Sequence, residues 1–333
     1  MIELARPGFW VTAVVSAVLV LAIPLVTEVY TLYNLTVFAV LAMLALSLGL
    51  VWGIGGILAL GQSAFFGIGA YVYALISVNL ADSTLAVPAA MLAPLAMALL
   101  VGYFTFFGRI SDVYFAVISL TIPLILLSLI NSASGPAYQF GKAHLGGYNG
   151  IPGVPPLNIP FDPSAVLSFE GMYYVSALLL LVVYLILRVL VASRFGRVVE
   201  AVRENELRAE LLGYDARYYK LGVFCIGAAI AGLAGALYAA WGASVGPTVF
   251  SLSFTAQAVV WVLFGGLGTL FGPIVGCFLV QGLSTWLGSV SRISPEIALG
   301  LLFIIAVLLV PNGIVPSIRD RVSSRLVRAG GRR

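Results

Sequence analysis

The sequence predicts an all-α, polytopic membrane protein with about ten transmembrane helices, each needing roughly 20 apolar residues to cross the hydrocarbon core. Three observations predict it. The 333 residues are 61% hydrophobic and 9% charged, far below the roughly 25% charged residues of an ordinary soluble domain. Apolar runs of spanning length follow one another along almost the whole chain. All 13 acidic residues fall between those runs or at their ends.

Apolar length and helix breakers place spans near 10–26, 33–52, 57–77, 86–108, 113–131, 171–191, 220–242, 254–267, 269–288 and 296–313. The first run lies behind Arg6, lacks an A-x-A cleavage pattern and is followed closely by another, so it reads as a retained helix. The eighth is short and is separated from the ninth by Gly265, Gly266, Gly268 and Thr269. That pair therefore reads either as two spans or as a broken, re-entrant element, which a bilayer tolerates only inside protein or beside water.

Arginine and lysine set the orientation, because they favour cytoplasmic loops. With both termini cytoplasmic, fifteen of the 17 basic residues lie inside, and only Lys142 and Arg292 lie outside. The positive balance thus reports membrane orientation and calls for no nucleic acid. The chain reads as a single transmembrane domain over 1–333, with a Gly/Pro-rich outer loop at 132–170, a charged cytoplasmic loop at 192–219 and a basic cytoplasmic tail at 316–333. The tail's six arginines suit a membrane-lipid surface.

The missing charges narrow the mechanism. No carboxylate sits at mid-membrane, where ion-coupled carriers place relay groups, although a sodium site of carbonyls and hydroxyls needs none. His144 is the single histidine, and no H-E-x-x-H, G-x-S-x-G or Cys/His cluster occurs. Cys225 and Cys277 fall inside apolar runs and read as packing residues, and nothing suggests a metal or a cofactor in this chain. There is no phosphate-binding loop either, since Gly141-Lys142 is followed by Ala143. The chain reads as no enzyme, and any ATP that drives it is hydrolysed, with its Mg, elsewhere.

Residues 193–213, SRFGRVVEAVRENELRAELLG, read as an amphipathic helix tethered between two spans. Val198, Val199, Val202, Leu207, Leu211 and Leu212 form its apolar side, and Glu204 stands four residues before Arg208. Gly213 is placed to end it in a left-handed cap.

The segments SRFGR, AVRENE, LLGY and YYKL of this loop resemble the permease subunits of bacterial branched-chain amino acid importers, a family that includes urea and short-amide importers. GGILALGQSAFFGIGAY at 55–71, VYFAVISL at 113–120, GGYNGIPGV at 146–154, AGLAGALYA at 231–239, VLFGGLGTLFGP at 262–273 and PNGI at 311–314 extend the resemblance in order over most of the chain. It implies an ATP-driven importer permease of the inner membrane, paired with a second, similar permease, two ATP-binding subunits and a solute-binding protein. It also implies that Arg194, Phe195, Gly196, Arg197, Glu200, Arg203, Glu204, Asn205, Glu206, Leu211 and Gly213 lie in the segment that docks into the ATPase. Branched-chain amino acids come first as solute and urea or short amides second; a stand-alone secondary transporter is the alternative of another class.

For the path of a solute, Gln62, Phe66 and Tyr73 share a stripe of the third span, with Ser63 beside them. Both a packing seam and a path lining suit them. Pro123 frees the carbonyl of Ser119 next to Thr121, and Gln257 and Trp261 share a stripe of the eighth segment. GGILALG near 55 and GGLGTLFG near 265 read alike, weak ground for an internal repeat in a chain of 36 glycines.

Overall fold

The computed structural model describes residues 18, 20–24, 27–135, 137–290, 300 and 313. Among them, seven helices are long and apolar enough to cross a membrane. We number the elements in chain order: α1 Val29–Leu48, α2 Gln62–Leu80, α3 Ala86–Gly102, α4 Asp112–Ser132, α5 Phe169–Ala192, α6 Arg194–Glu204, α7 Glu206–Leu211, α8 Ala216–Gly242, α9 Leu252–Gly265 and α10 Phe271–Val290. The expected spans from 33 to 288 are thus all helical, with shifted ends. The expected first span (10–26) lies mostly, and the last (296–313) almost wholly, outside the described residues, as does the tail at 316–333.

Two differences have local causes. The third span begins at Gln62, not 57, because Gly56 turns left-handed (φ 71°) and the chain runs irregularly to Gly61. α1 and α3 close in π-helical turns, Gly49–Ile54 and Tyr103–Phe107, which apolar periodicity does not signal. α9 has 14 residues, about 21 Å at 1.5 Å per residue, short of a hydrocarbon core of about 30 Å. It folds back against α10, so closely that a Cβ on Gly265 would come 1.9 Å from the Gly272 carbonyl.

α2, α3 and α8 form the centre. Helices in lipid gain nothing from hiding apolar surface, so close backbone approach at small residues supplies the packing energy. A Cβ on Gly69 would lie 2.3 Å from the Gly232 carbonyl, and one on Gly235 would lie 1.9 Å from the Phe66 carbonyl. Gly227, Ala231 and Gly235 are all buried on α8, which makes their four-residue spacing a packing ridge. By contrast, α3, α4 and α5 each leave an apolar stripe exposed, including Leu92 and Leu99, Val117 and Ile125, and Leu178 and Ile186.

Basic residues lie at both ends of the bundle. Arg109, Arg217 and Lys220 line one cleft with Glu206 at the end carrying α6 and α7, whereas Lys142 lies at the other, its amide donating to Asn79 Oδ1 at the end of α2. There the outer loop is ordered by short antiparallel pairings: Gln139–Phe140 with Ala143–His144, Ile151–Pro152 with Ser244–Val245, and Asn158–Ile159 with Asp162–Val166. Asn158 joins this loop to the α2–α3 turn. It accepts from the Ser83 amide (2.7 Å) and donates to Asp82 (3.0 Å). Tyr73 adds a bond from its hydroxyl to the Pro155 carbonyl at 3.1 Å.

The hydroxyl and amide of Thr84, with Asn158, hold the Asp82 carboxyl below its usual range. Because that value is lowered on folding, the tie is complete above the ordinary aspartate pKa of about 3.9 and is lost as pH falls through the folded value. Amide exchange of 157–166, corrected for intrinsic rate, is expected to accelerate below about pH 4, and Asp82→Asn to erase that pH dependence. In the seam, Gly235→Val is expected to destabilise the detergent-solubilised protein by about 1–3 kcal/mol or more, whereas Gly242→Ala, with open space around it, leaves its melting temperature unchanged.

Candidate functional site

The loop between α5 and α8 folds as two helices, α6 and α7, separated at Asn205, a correction to the single helix expected over 193–213. Asn205 leaves the helical region (φ −159°, ψ 101°), and its side chain caps α7 by accepting from the Arg208 amide at 2.9 Å. Asparagine competes with the helix for that amide and wins. Glu204 and Arg208 consequently stand on different helices, and no ion pair joins them among the described residues. Ser193 caps α6 in the same way through Gly196 N.

The break also divides the expected apolar side. Val199 and Val202 of α6 are buried, and Val202 packs with Ala209 and Ala216. Leu207, Leu211 and Leu212, by contrast, are 68%, 81% and 72% exposed. Leu207 lines the charged cleft with Arg109, Glu206 and Lys220. Exposed leucines of this kind mark an interaction surface.

The remaining loop residues fall into two groups. Arg194, Arg197, Glu200 and Glu204 are exposed. Phe195 and Gly196 are covered, and Arg203, Asn205, Glu206 and Gly213, although exposed as residues, also make contacts that hold the loop together. Phe195 stacks near Tyr219 with ring centroids 5.6 Å apart, and a Cβ on Gly196 would lie 2.1 Å from the Val191 carbonyl. Glu206 binds Lys220 at 2.7 Å, and Lys220 also faces Asp112 of α4 at 3.6 Å. Gly213 (φ 92°) ends α7 as expected: its amide bonds to the Glu210 carbonyl and that of Tyr214 reaches back to Ala209, the double bond of a Schellman cap. At the start of α8, a hydrogen bond with Arg217 lowers the pKa of Asp215. Arg203 turns inward, its guanidinium donating to the Gly53 carbonyl.

The residues expected along a solute path do not converge. Gln62, Ser63, Phe66 and Tyr73 are buried inside the subunit. Gln62 Nε2 donates to Ser47 of α1 at 3.2 Å, and Ser63 shares a 2.6 Å hydroxyl bond with Thr255 of α9. Phe66 sits between Tyr238 and Phe254. Trp261 is fully buried and Gln257 half-buried on α9. Gln62 Oε1 and Trp261 Nε1 have no hydrogen-bond partner among the described residues. Pro123 is buried in α4, and the Ser119 carbonyl it frees lies against Gly61. Thr121 alone faces outward, on the exposed stripe of α4 that also carries Ser128. Sequence reasoning missed Ser128 because a hydroxyl in an apolar span carries no signal until its direction is known; its spacing of seven from Thr121 was the available clue.

Metal chemistry finds no footing among the described residues, which hold no cluster of three histidine, cysteine or acidic side chains. Comparison with known proteins gives a family model described as branched-chain amino acid transport system / permease component, which matches residues 30–310. The chain is 29% identical to the high-affinity branched-chain amino acid transport system permease protein LivM of Escherichia coli K12, covering 95% of this chain and 77% of that one. It is 28% identical to LivM of Salmonella typhimurium LT2 over 89% of this chain and 72% of that protein. A probable LivM of Methanocaldococcus jannaschii matches at 32% identity over 41% of this chain and 39% of its own. No solved structure matches.

The break at Asn205 is expected to depend on its cap. Asn205→Ala should cost about 1 kcal/mol locally, read as about fivefold faster amide exchange in 206–211 with 216–242 unchanged.

Proposed function

Because this chain belongs to the branched-chain amino acid transport permease family, we propose that it works as one of two permeases in an ATP-driven importer for branched-chain amino acids. The observation that carries the coupling half of this reading is the leucine surface of α7, bare at the charged end of the bundle. The partner it suits is an ATP-binding subunit. Arg194, Arg197, Glu200 and Glu204 of the adjoining α6 are exposed and bring both signs of charge, which would give the contact its register more than its strength.

On this reading the chain supplies no chemistry of its own. ATP with its Mg is bound and hydrolysed by two partner subunits, and the charged end is cytoplasmic, in keeping with the basic bias of the loops. The opposite end, stiffened by the outer loop, receives the solute-binding protein. The solute passes along the outward stripe of α4, between this chain and the second permease. Thr121 and Ser128 support that placement, since the exposed stripes of α3 and α5 are apolar where α4 offers hydroxyls. The buried Gln62 and Ser63 then serve the seam that carries α2, not the path itself.

The test is uptake into vesicles of the assembled complex with its binding protein, comparing labelled leucine and urea with and without ATP. ATP-dependent leucine uptake is the expected result. Urea uptake would move the substrate class to short amides, and uptake by this chain alone without ATP would sink the importer-subunit reading. Within the complex, Glu204→Arg is expected to lower binding-protein-stimulated ATP hydrolysis about tenfold, the cost of a like charge at an interface, with membrane insertion intact. Normal stimulated turnover would remove Glu204 from the contact.

A further inference from the structure

Two glycine-rich segments far apart in sequence, 53–56 and 265–268, meet at one side chain. Arg203, in the last turn of α6, donates its Nη1 hydrogen to the Gly53 carbonyl at the end of α1. The backbone bonds that close the π turn use the carbonyls of Leu50, Val51 and Trp52, and among the described residues none goes to Gly53. A terminal helix carbonyl with no backbone partner, at the negative end of the helix dipole, is a place where a guanidinium binds well.

The rest of the side chain is equally placed. A Cβ on Gly56, which is left-handed at φ 71°, would come 2.7 Å from Arg203 Cγ. Gly268, left-handed at φ 83° in the α9–α10 turn, has its Cβ position 3.8 Å from the same guanidinium nitrogen. Gly53 and Gly268 also touch directly: a Cβ on Gly53 would lie 3.0 Å from the Gly268 amide nitrogen. One turn earlier Gly49 receives Pro273 of α10, whose Cγ would be 2.5 Å from an added Cβ. Three elements with no sequence proximity therefore share one contact: α6, the π turn of α1 and the turn between α9 and α10.

We infer that Arg203 is a positioning residue that latches the coupling loop to the ends of α1 and α10, so that force delivered to α6 and α7 moves those helices. The inference rests on the importer reading above and gives Arg203, whose guanidinium binds a carbonyl of its own chain, a role separate from the other arginines and the acids of the same loop. Arg194, Arg197 and Glu204 meet the partner; Arg203 faces its own chain. A π turn suits such a junction, because it is a single turn whose hydrogen bonds already run in mixed registers. The glycines at 53, 56 and 268 leave no side chain between the guanidinium and the backbone it binds.

The assembled importer tests this with Arg203→Ala and Arg203→Lys, reading solute transported per ATP hydrolysed. Arg203→Ala is expected to hydrolyse ATP at near the wild-type rate while transport per ATP falls about tenfold, the scale of one charge-assisted hydrogen bond. Arg203→Lys should recover part of it, as a point charge without the guanidinium's planar reach. Unchanged transport per ATP in Arg203→Ala overturns the latch. So does a fall in binding-protein-stimulated ATP hydrolysis equal to that of Glu204→Arg, which would place Arg203 in the partner contact.

A second readout does not depend on transport or on the alanine variant folding. Spin labels at Leu207→Cys and Leu267→Cys, both at exposed positions, report the distance between α7 and the α9–α10 turn in the complex. The expected result is one narrow distance distribution that survives ATP binding and broadens in Arg203→Lys. A distribution that is equally narrow in both overturns the inference. Absence of ATP-driven uptake in the wild type would count against the importer reading alone, because the spin-label comparison stands without it.

Discussion

The structure depends on glycine-mediated contact between helix backbones. In a bilayer an exposed leucine loses little by facing lipid, so association must come from dispersion forces between surfaces brought unusually close. The seam of α2 with α8 meets that requirement: Gly69 against Gly232 and Gly235 against the Phe66 carbonyl leave no room for a methyl group. Once these two helices are locked, α3 follows, with its Ala90 carbonyl and Pro94 seated on Gly232. Bulky residues then fill the flanks, as Phe66 does between Tyr238 and Phe254.

The same economy recurs at the charged end with a different consequence. Glycines at 49, 53, 265 and 268 let α1, α9 and α10 approach one another, but the contact is closed by an ionised side chain from outside the bundle. A packed core is hard to deform, whereas a junction of turns held by one guanidinium has few contacts to repack. The centre is therefore stiff and this end jointed. The opposite end is stiff for another reason. The outer loop adds to its buried Ile151, Val154 and Leu157 a polar network in which Asn158 joins Ser83 and Asp82.

The family comparison and the structure support the function at different levels. The family assigns the chain to a transport permease and spans nearly all the described helices. The structure separates residues within the loop, distinguishing those that end in solvent from those that hold the loop to the bundle. That separation matters for any mutational study, because Gly196, Asn205 and Gly213 will look functional when their removal merely unmakes the loop.

The sequence by itself determined the class, the helices between 33 and 288 and the segregation of charge to one end, because each is a one-dimensional property: apolar length, a breaker, the count of arginines in a loop. It also determined the cap at Gly213, since a left-handed end requires only the local residue. Tertiary structure alone decided where side chains face. Gln62 and Thr121 both read as polar groups in spans, yet one bonds to Ser47 in the interior and the other looks outward from α4. Hydrophobic patterning cannot tell them apart, because in a membrane protein both the interior and the lipid face are apolar and the amphipathic signal is weak. The inward turn of Arg203 was equally illegible: its partner is a backbone carbonyl 150 residues away in sequence, and backbone carbonyls carry no residue signature.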